Sequence, residues 1–387
     1  MTAAERTIPF RNGVLRLATL ATLKQSDAWR EAFAGKAKDH RFYEIVEETL
    51  RQDFEHRYLV YEDGDGKVRG VQPVFFLRQN LVEGMPALRA PVEFVRRFFP
   101  AFLTMRTLMI GNAAGSGYLG NCRNSDEAWL ASALGETLLP YARSAKASLV
   151  VCKDFAPEYR NSLGILSAHG FTRIPSMPVT RLDLTYGSFD DYFAHLSKAT
   201  RKDLRRKFRR VEQAEPIEME VVNDVTPFID EVYPLYLAVH ERSSMKFETL
   251  TKEFLCALGE RMPDRARFMI WRQGGRIIAF TIALVHNGVF YDDYLGLDYR
   301  VALDLHLYFV TFRDIIRWCI EQGLTTYVSS PLNYEPKLHL DCLLGPLDLY
   351  VLHTSPLLRP IFRRVLPLMA PTRHDPVLHR FPNAHEL

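Results

Sequence analysis

Two stretches of the chain share one pattern, RYLVYEDGDGKVRGVQPVFFL at 57–77 and RFMIWRQGGRIIAFTIALV at 267–285. Each is a β-rich run, a turn carrying glycine, a basic residue and a second β-rich run, and each reads as a hairpin. Each is followed by a further strand candidate, a helical stretch and a short strand. In the first half these are TLMIGNAAG, 127–146 and SLVVCKDF, and in the second VFYDDYLGL, 302–322 and TTYVSS. The same elements recurring in the same order mark a diverged internal duplication and predict two α/β units. At 387 residues the chain is also longer than a single core usually serves.

Composition narrows the class. With 47% hydrophobic and 25% charged residues the chain can bury cores, which excludes disordered and fibrous classes. A net charge of +3, from 49 basic and 46 acidic residues, is too small for a global argument toward nucleic acid or anionic lipid. The five cysteines are odd in number and never form a C-x-x-C pair, which argues against a disulfide framework or a zinc site and for a reducing cytoplasm. The start MTAAERTIPFRNG lacks the apolar run of a signal peptide, and no stretch approaches the roughly 18 apolar residues of a spanning helix. Absent also are G-x-x-x-x-G-K-[ST], G-x-S-x-G and H-E-x-x-H, so P-loop chemistry, serine hydrolysis and zinc proteolysis have no support. GNAAGSG at 111–117 lacks dinucleotide spacing and reads as a loop.

Between the halves, HLSKATRKDLRRKFRRVEQ at 195–213 is a basic helix in which eight of the thirteen residues from Lys198 to Arg210 are cationic. Such density repels itself unless anions compensate, so a partner is expected: coenzyme A phosphates, an acidic carrier protein, tRNA or anionic lipid. The plain alternative is a solvated helix paired with nearby carboxylates. The second half then reads strand (EMEVVNDV), two helices, hairpin, strand, long helix, short strand and a final β-rich stretch at 343–353. A ligand is expected where the central strand ends and the long helix begins. The tail from Ser355 to Pro376 carries prolines that forbid one long helix. It reads either as a wrapped terminal segment or as a basic, apolar stretch resting on a membrane surface or lining a lipid tunnel.

This element order, with the basic segment LSKATRKDLRRKFRR, resembles the Fem aminoacyltransferase branch of the GNAT superfamily and related bacterial N-acyltransferases. The resemblance is most specific over 190–340, with GLDYRVALDLHLYFVTFRDIIRWCIEQGLTTYVSSP as the closest stretch. It implies two tandem GNAT-like domains, each a mixed, mostly antiparallel sheet flanked by helices, over 1–180 and 181–387 with the tail at 355–387. The first would shape the cleft and the second would do the chemistry. The implied reaction moves an acyl group from a thioester donor, acyl-CoA or acyl carrier protein, to a primary amine, a lipid amine as in bacterial ceramide formation among them. No tightly bound cofactor and no metal is expected. Superfamily members that use acetyl-CoA carry a glycine-rich loop around the pyrophosphate. Here the corresponding stretch is Asp298-Tyr299-Arg300-Val301-Ala302-Leu303, with no glycine, and Leu295, Tyr299, Arg300 and Ala302 are the donor-binding candidates.

Acyl transfer needs a neutral amine, a group that polarises the carbonyl and a proton for the leaving thiolate. In VFYDDYLGL, simple strand alternation puts Asp292 and Tyr294 on one face, making them candidate base and acid. His240 and Glu241, in the segment Ala238 to Ser244, are further catalytic candidates, with Arg242 and Lys246 as acceptor-binding ones. Asn333 and His339, in the loop after TTYVSS, are also acceptor-binding candidates because polar residues beyond a strand end can meet ligand. His306 is read mainly as a core histidine. Two rival readings stay open. One is an aminoacyl-tRNA-dependent, Fem-like transferase acting on a peptidoglycan precursor, and the other is a non-catalytic acyl-lipid-binding or scaffold protein.

Overall fold

A computed structural model describes residues 7–80, 86–97, 104–122, 126–243 and 246–387. In chain order, the elements begin with β1 (Thr7–Phe10), β2 (Gly13–Ala18), α1 (Leu20–Leu23), α2 (Asp27–Ala32), α3 (His40–Thr49), β3 (Glu55–Asp63) and β4 (Val68–Asn80). They continue with α4 (Pro86–Arg96), β5 (Thr104–Ile110), α5 (Glu127–Ser144), β6 (Leu149–Phe155), α6 (Arg160–Leu163), β7 (Thr172–Pro175), β8 (Val179–Asp183), α7 (Phe189–His195) and α8 (Lys198–Glu212). Next come β9 (Ile217–Val222), α9 (Ile229–Arg242), α10 (Lys252–Arg261), β10 (Ala266–Gln273), β11 (Arg276–His286), β12 (Val289–Leu297) and α11 (Leu307–Glu321). The last are β13 (Thr326–Ser329), α12 (Tyr334–His339), β14 (Leu343–Gly345), β15 (Asp348–His353) and α13 (Arg359–Val365).

Two compact units result, one from Met1–Ser176 with Pro346–His374 and one from Met177–Gly345 with Asp375–Leu387. The first holds an eight-stranded sheet in the order β1-β2-β3-β4-β5-β6-β15-β7, the second a seven-stranded sheet in the order β14-β8-β13-β12-β11-β10-β9. Both sheets are mixed and mostly antiparallel. The parallel pairs are β5 with β6 in one and β12 with β13 in the other, each joined through a helix, α5 or α11. The expected fold class, mixed sheets flanked by helices, is the one observed. Both hairpins form where the repeats put them. In β10–β11 the turn at Gly274 and Gly275 has φ of 56° and 76°, a left-handed pair that glycine adopts without steric cost.

Each sheet buries one strong apolar face under its crossover helix. In the first unit Leu130, Leu134, Leu138 and Tyr141 of α5 pack on Leu59, Tyr61, Val74, Leu108 and Val150. In the second, Phe312, Ile315, Ile316 and Cys319 of α11 pack on Met269, Trp271, Phe290 and Tyr327, and the Trp271 indole donates to Asp314 at 3.0 Å. The basic helix α8 is capped by Ser197, whose hydroxyl accepts from the Thr200 amide. It buries Leu204 and Val211 and turns most of its cations outward.

The sequence misplaces one element. The β-rich stretch 343–353 reads as one terminal feature of the second half, but β14 pairs with β8 while β15 enters the first unit between β6 and β7. Asp348 explains part of this choice. Its fully buried carboxylate receives Arg160 at 2.7 Å and Arg173 at 2.8 Å, both from the first unit. Removing one side of a buried, hydrogen-bonded charge cluster leaves the other uncompensated. Asp348→Ala is expected to destabilise the first unit by about 2 kcal/mol, below the full cost of a wholly buried pair because both arginines are part-exposed. Urea unfolding followed by tryptophan fluorescence checks this as a lowered midpoint.

Candidate active site

The centre of the second unit is the place where β12 and β13 part. The two strands run parallel from Val289 opposite Thr326 to Asp292 opposite Ser329, and β12 then continues to Leu297 while β13 ends. The fork is pinned by Ser330, whose amide donates to the Asp292 carbonyl at 3.1 Å and whose hydroxyl donates to the same oxygen at 3.0 Å. Beyond it Leu332 and Asn333 both adopt left-handed backbone, with φ of 74° and 52°. That conformation strains a branched side chain such as Leu332 and turns the chain sharply into α12.

A bulge sits at the same point. Against β11, Asp292 pairs with Ala283 but Tyr294 pairs with Ile282, so Asp293 is an extra residue. Adjacent residues of β11 face opposite sides of the sheet, and their partners must do the same. Asp292 therefore lies on the α11 side and Tyr294 on the α9 side. This corrects the expectation that they share a face, which assumed unbroken alternation.

On the α11 side, the half-buried Asp292 carboxyl contacts the Thr281 hydroxyl and accepts from the Tyr327 hydroxyl at 2.7 Å. Burial pushes its pKa up, against the pull of those two hydrogen bonds. Lys337 is buried nearby, its ammonium donating to the Ser330 carbonyl, and burial brings its pKa down to about 8. Burial raises the Tyr308 hydroxyl well above its ordinary value, with the Asn333 side chain exerting a smaller opposing pull.

On the α9 side, the Tyr294 hydroxyl donates to the carboxylate of Glu248, on the loop between α9 and α10. Burial, then the Glu248 charge, raises the tyrosine well above its ordinary value and keeps it protonated. Tyr236 packs edge-on against Tyr294 at 6.1 Å and stacks on His240 at 5.6 Å. His240 contacts the Thr249 hydroxyl at 3.2 Å, and burial lowers its pKa. Gly296 keeps this side tight, since a Cβ there would meet the Phe280 ring at 2.2 Å.

The remaining candidates scatter around this centre. Leu295 lies on β12 past the fork, and Ala302 is buried in the turns that connect β12 to α11. That helix begins at Leu307, later than the pattern at 302–322 predicts, behind a left-handed His306. Arg300 does not reach out as a free charge. Its guanidinium holds both oxygens of Asp298, at 2.9 and 2.8 Å, and lowers that carboxyl. Arg242 lies over the Tyr299 ring at 3.9 Å. Glu241 and Lys246 are exposed, and Ser244 falls outside the described residues. His339 is also exposed, 3.2 Å from Glu335. The basic helix approaches the start of α11, with Lys207 over the Phe309 ring at 3.6 Å and Arg210 paired to Asp304 at 3.0 Å.

Sequence reasoning passed over Glu248 and did not select Lys337. Glu248 carries no motif. Lys337 left one trace, a cation at helical spacing among Tyr334, Leu338 and Leu340 where an apolar residue belongs. Among the described residues no group of three or more His, Cys, Asp or Glu is placed to hold a metal, and no helix is long and apolar enough to cross a membrane.

Residues 198–335 match the family model of the acetyltransferase (GNAT) domain. The chain is 26% identical over 307 residues to "Putative 8-amino-7-oxononanoate synthase 2" of Mycobacterium tuberculosis, in strains CDC 1551 / Oshkosh and ATCC 25618 / H37Rv. The match takes in 74% of this chain but only 39% of each relative, so the chain spans about two fifths of their length. Among solved structures, FemX is similar at 12% identity and a TM-score of 0.49, covering 88% of this chain and 94% of that one. The L-PGS of Bacillus licheniformis is similar at 14% identity and 0.48, covering 84% and 95%. A tandem GNAT protein of the clavulanic acid biosynthesis pathway is similar at 13% and 0.49, covering 88% and 99%. At these scores the whole-chain likenesses carry no argument. The stretch that matches the acetyltransferase (GNAT) domain model lies within the second unit and runs from the start of α8, through the fork, into α12.

Proposed function

We propose that the chain transfers an acyl group from a thioester donor, acyl-CoA or acyl carrier protein, to a primary amine that enters from the α9 side of the fork between β12 and β13. The observation that carries this reading is the Tyr294–Glu248 pair beside the bulge at Asp293. Glu248, not Asp292, takes the role of base. It lies on the α9 side with the hydroxyl it accepts from, whereas Asp292 is held on the other side by Thr281 and Tyr327.

The amine nitrogen attacks the thioester carbon, and Glu248 takes its proton directly or through water. Once neutral, Glu248 no longer holds the Tyr294 hydroxyl, which then donates to the departing sulfur as the carbon–sulfur bond breaks. Glu248 returns its proton to Tyr294, so the net transfer is from amine to thiol. The carbonyl oxygen is held by main-chain N–H of β12 past the fork, and Lys337 places a positive charge at the fork itself. Asp292 serves as the counter-charge that Lys337 needs in a buried place.

The donor's carrier is a second question, and helix α8 bears on it. Lys198, Lys202 and Arg209 have no ion pair among the described residues, a surface for a polyanionic carrier. An acidic carrier protein fits it, as does tRNA in the aminoacyl-transfer reading. The relatives' synthase name does not decide the matter, because the match covers the smaller part of those chains.

The deciding experiment compares thermal shifts and turnover with acetyl-CoA, palmitoyl-CoA, an acylated carrier protein and aminoacyl-tRNA at two salt concentrations. Transfer from a thioester to an amine is expected. Transfer from aminoacyl-tRNA alone replaces the thioester reading, and no transfer from any donor overturns it in favour of a binding protein.

Glu248→Gln and Tyr294→Phe are each expected to lower kcat by about 10²- to 10⁴-fold while the donor's thermal shift stays. Equal loss of donor binding would remove both from the chemistry. Lys337 gives up its proton as pH rises through about 8, so kcat at saturating substrate should fall above that pH. In Lys337→Arg, whose guanidinium stays charged, this alkaline limb should move upward. An unchanged pH–rate profile would assign Lys337 a purely structural role.

A further inference from the structure

The C-terminal segment of the first unit presents the wrong face to water. Among the described residues, nine large apolar side chains are exposed, and six of them fall between Leu357 and Met369. Leu357 is 84% exposed, Leu368 59% and Ile361 56%. Leu358, Ile361, Val365 and Leu368 follow one another at steps of three, four and three, which gathers them on one side of α13 and the turn that continues it. A different side of the same helix holds it to the unit. The Arg359 guanidinium donates to the His353 carbonyl at 2.9 Å, and the Phe362 ring lies 4.6 Å from the His353 ring. The outward stripe is therefore not a docking face that missed its core.

The charges around the stripe identify what covers it. From Ser355 to His374 the chain has no Asp or Glu, but it has Arg359, Arg363, Arg364 and Arg373. Arg363 and Arg364 are exposed, and neither has an ion pair among the described residues. Arg143 adds a further cation at the base of the segment, donating to the Thr354 carbonyl at 3.0 Å. Apolar side chains that enter a bilayer boundary, bordered by arginines that reach lipid phosphates, make an interfacial anchor. A second copy of this chain fits poorly, since pairing the stripe with itself would bring the two sets of arginines together with no carboxylate between them. The short stripe also offers no groove for a partner's helix.

We propose that residues 357–369 bind the surface of an anionic phospholipid bilayer, with Leu357, Ile361, Val365 and Leu368 inserted at the acyl boundary and Arg363 and Arg364 on the headgroups. The inference is independent of the donor and acceptor of the acyl transfer. A lipid surface beneath the first unit would also deliver any lipid-borne substrate by diffusion in two dimensions.

The test is co-sedimentation of the full chain with vesicles of phosphatidylcholine alone and of phosphatidylcholine with phosphatidylglycerol. Binding to the anionic vesicles is expected, at least tenfold stronger than to the neutral ones and weakened by salt. Arg363→Glu with Arg364→Glu should lower it by tenfold or more, and Ile361→Glu with Leu368→Glu should abolish it. All four side chains are exposed, so thermal unfolding of both variants should match the parent. The proposal is overturned if the parent stays in solution with anionic vesicles, or if both variants bind as the parent does. It is overturned too if analytical ultracentrifugation finds a dimer that Ile361→Glu with Leu368→Glu breaks while vesicle binding is absent.

Discussion

The arrangement of buried polar groups at the centre of the second unit depends on one extra residue in a strand. The register of β12 against β11 shifts at Asp293, and inserting that residue rotates the rest of β12 by half a turn of the pleat. Two polar residues that would otherwise crowd one side of the sheet are thereby divided between two. The carboxyl on the α11 side can join a buried ammonium, and the phenol on the α9 side can meet a carboxylate brought by a loop. The same insertion falls where β13 ends, so the strand that carries the polar groups loses its neighbour within one residue of the bulge. A sheet normally resists such an opening, because unpaired main-chain groups in a dry interior are costly. Here Ser330 and Lys337 take up the first carbonyls past the fork and limit that cost.

The buried cluster around Lys337 is an electrostatic compromise. A lysine with so little contact with water would lose its charge outright in an apolar cavity, and Asp292 in the same place would keep its proton. Together they hold a state in which the burial of each is partly offset by the other, with Tyr327, Thr281 and Ser330 supplying hydrogen bonds. Such groups respond strongly to any charge that develops nearby, because there is little water to screen it.

What could be read from the sequence follows from the range of the interactions involved. The hairpins, the crossover helices and the basic helix are set by contacts between near neighbours in the chain, and their patterns were legible. Asp292 and Tyr294 were recognised as polar residues in a central strand, but their directions were not, because a bulge is fixed by the partner strand. Glu248 reaches Tyr294 across 46 positions, a distance at which residue patterns carry no information. Arg300, a donor-binding candidate, pairs with Asp298 two residues away, a partner its sequence neighbourhood offered but its candidacy did not take into account. β15 was read with the second half, and part of what seats it in the first sheet, the pairing of Asp348 with Arg160 and Arg173, joins residues far apart in the chain.

That last strand has a consequence for how the molecule is made. The first sheet has β6 and β7 on either side of β15, and β15 is not synthesised until the whole of β8 to β14 has been. A ribosome delivers the amino-terminal unit with a gap in its sheet. The later unit can complete its own strands first, apart from the closing turns after Asp375. The order of maturation is then the reverse of the usual one, in which domains close as they emerge. Until residue 353 appears, β6 and β7 present open edges that a nascent chain must keep from other strands.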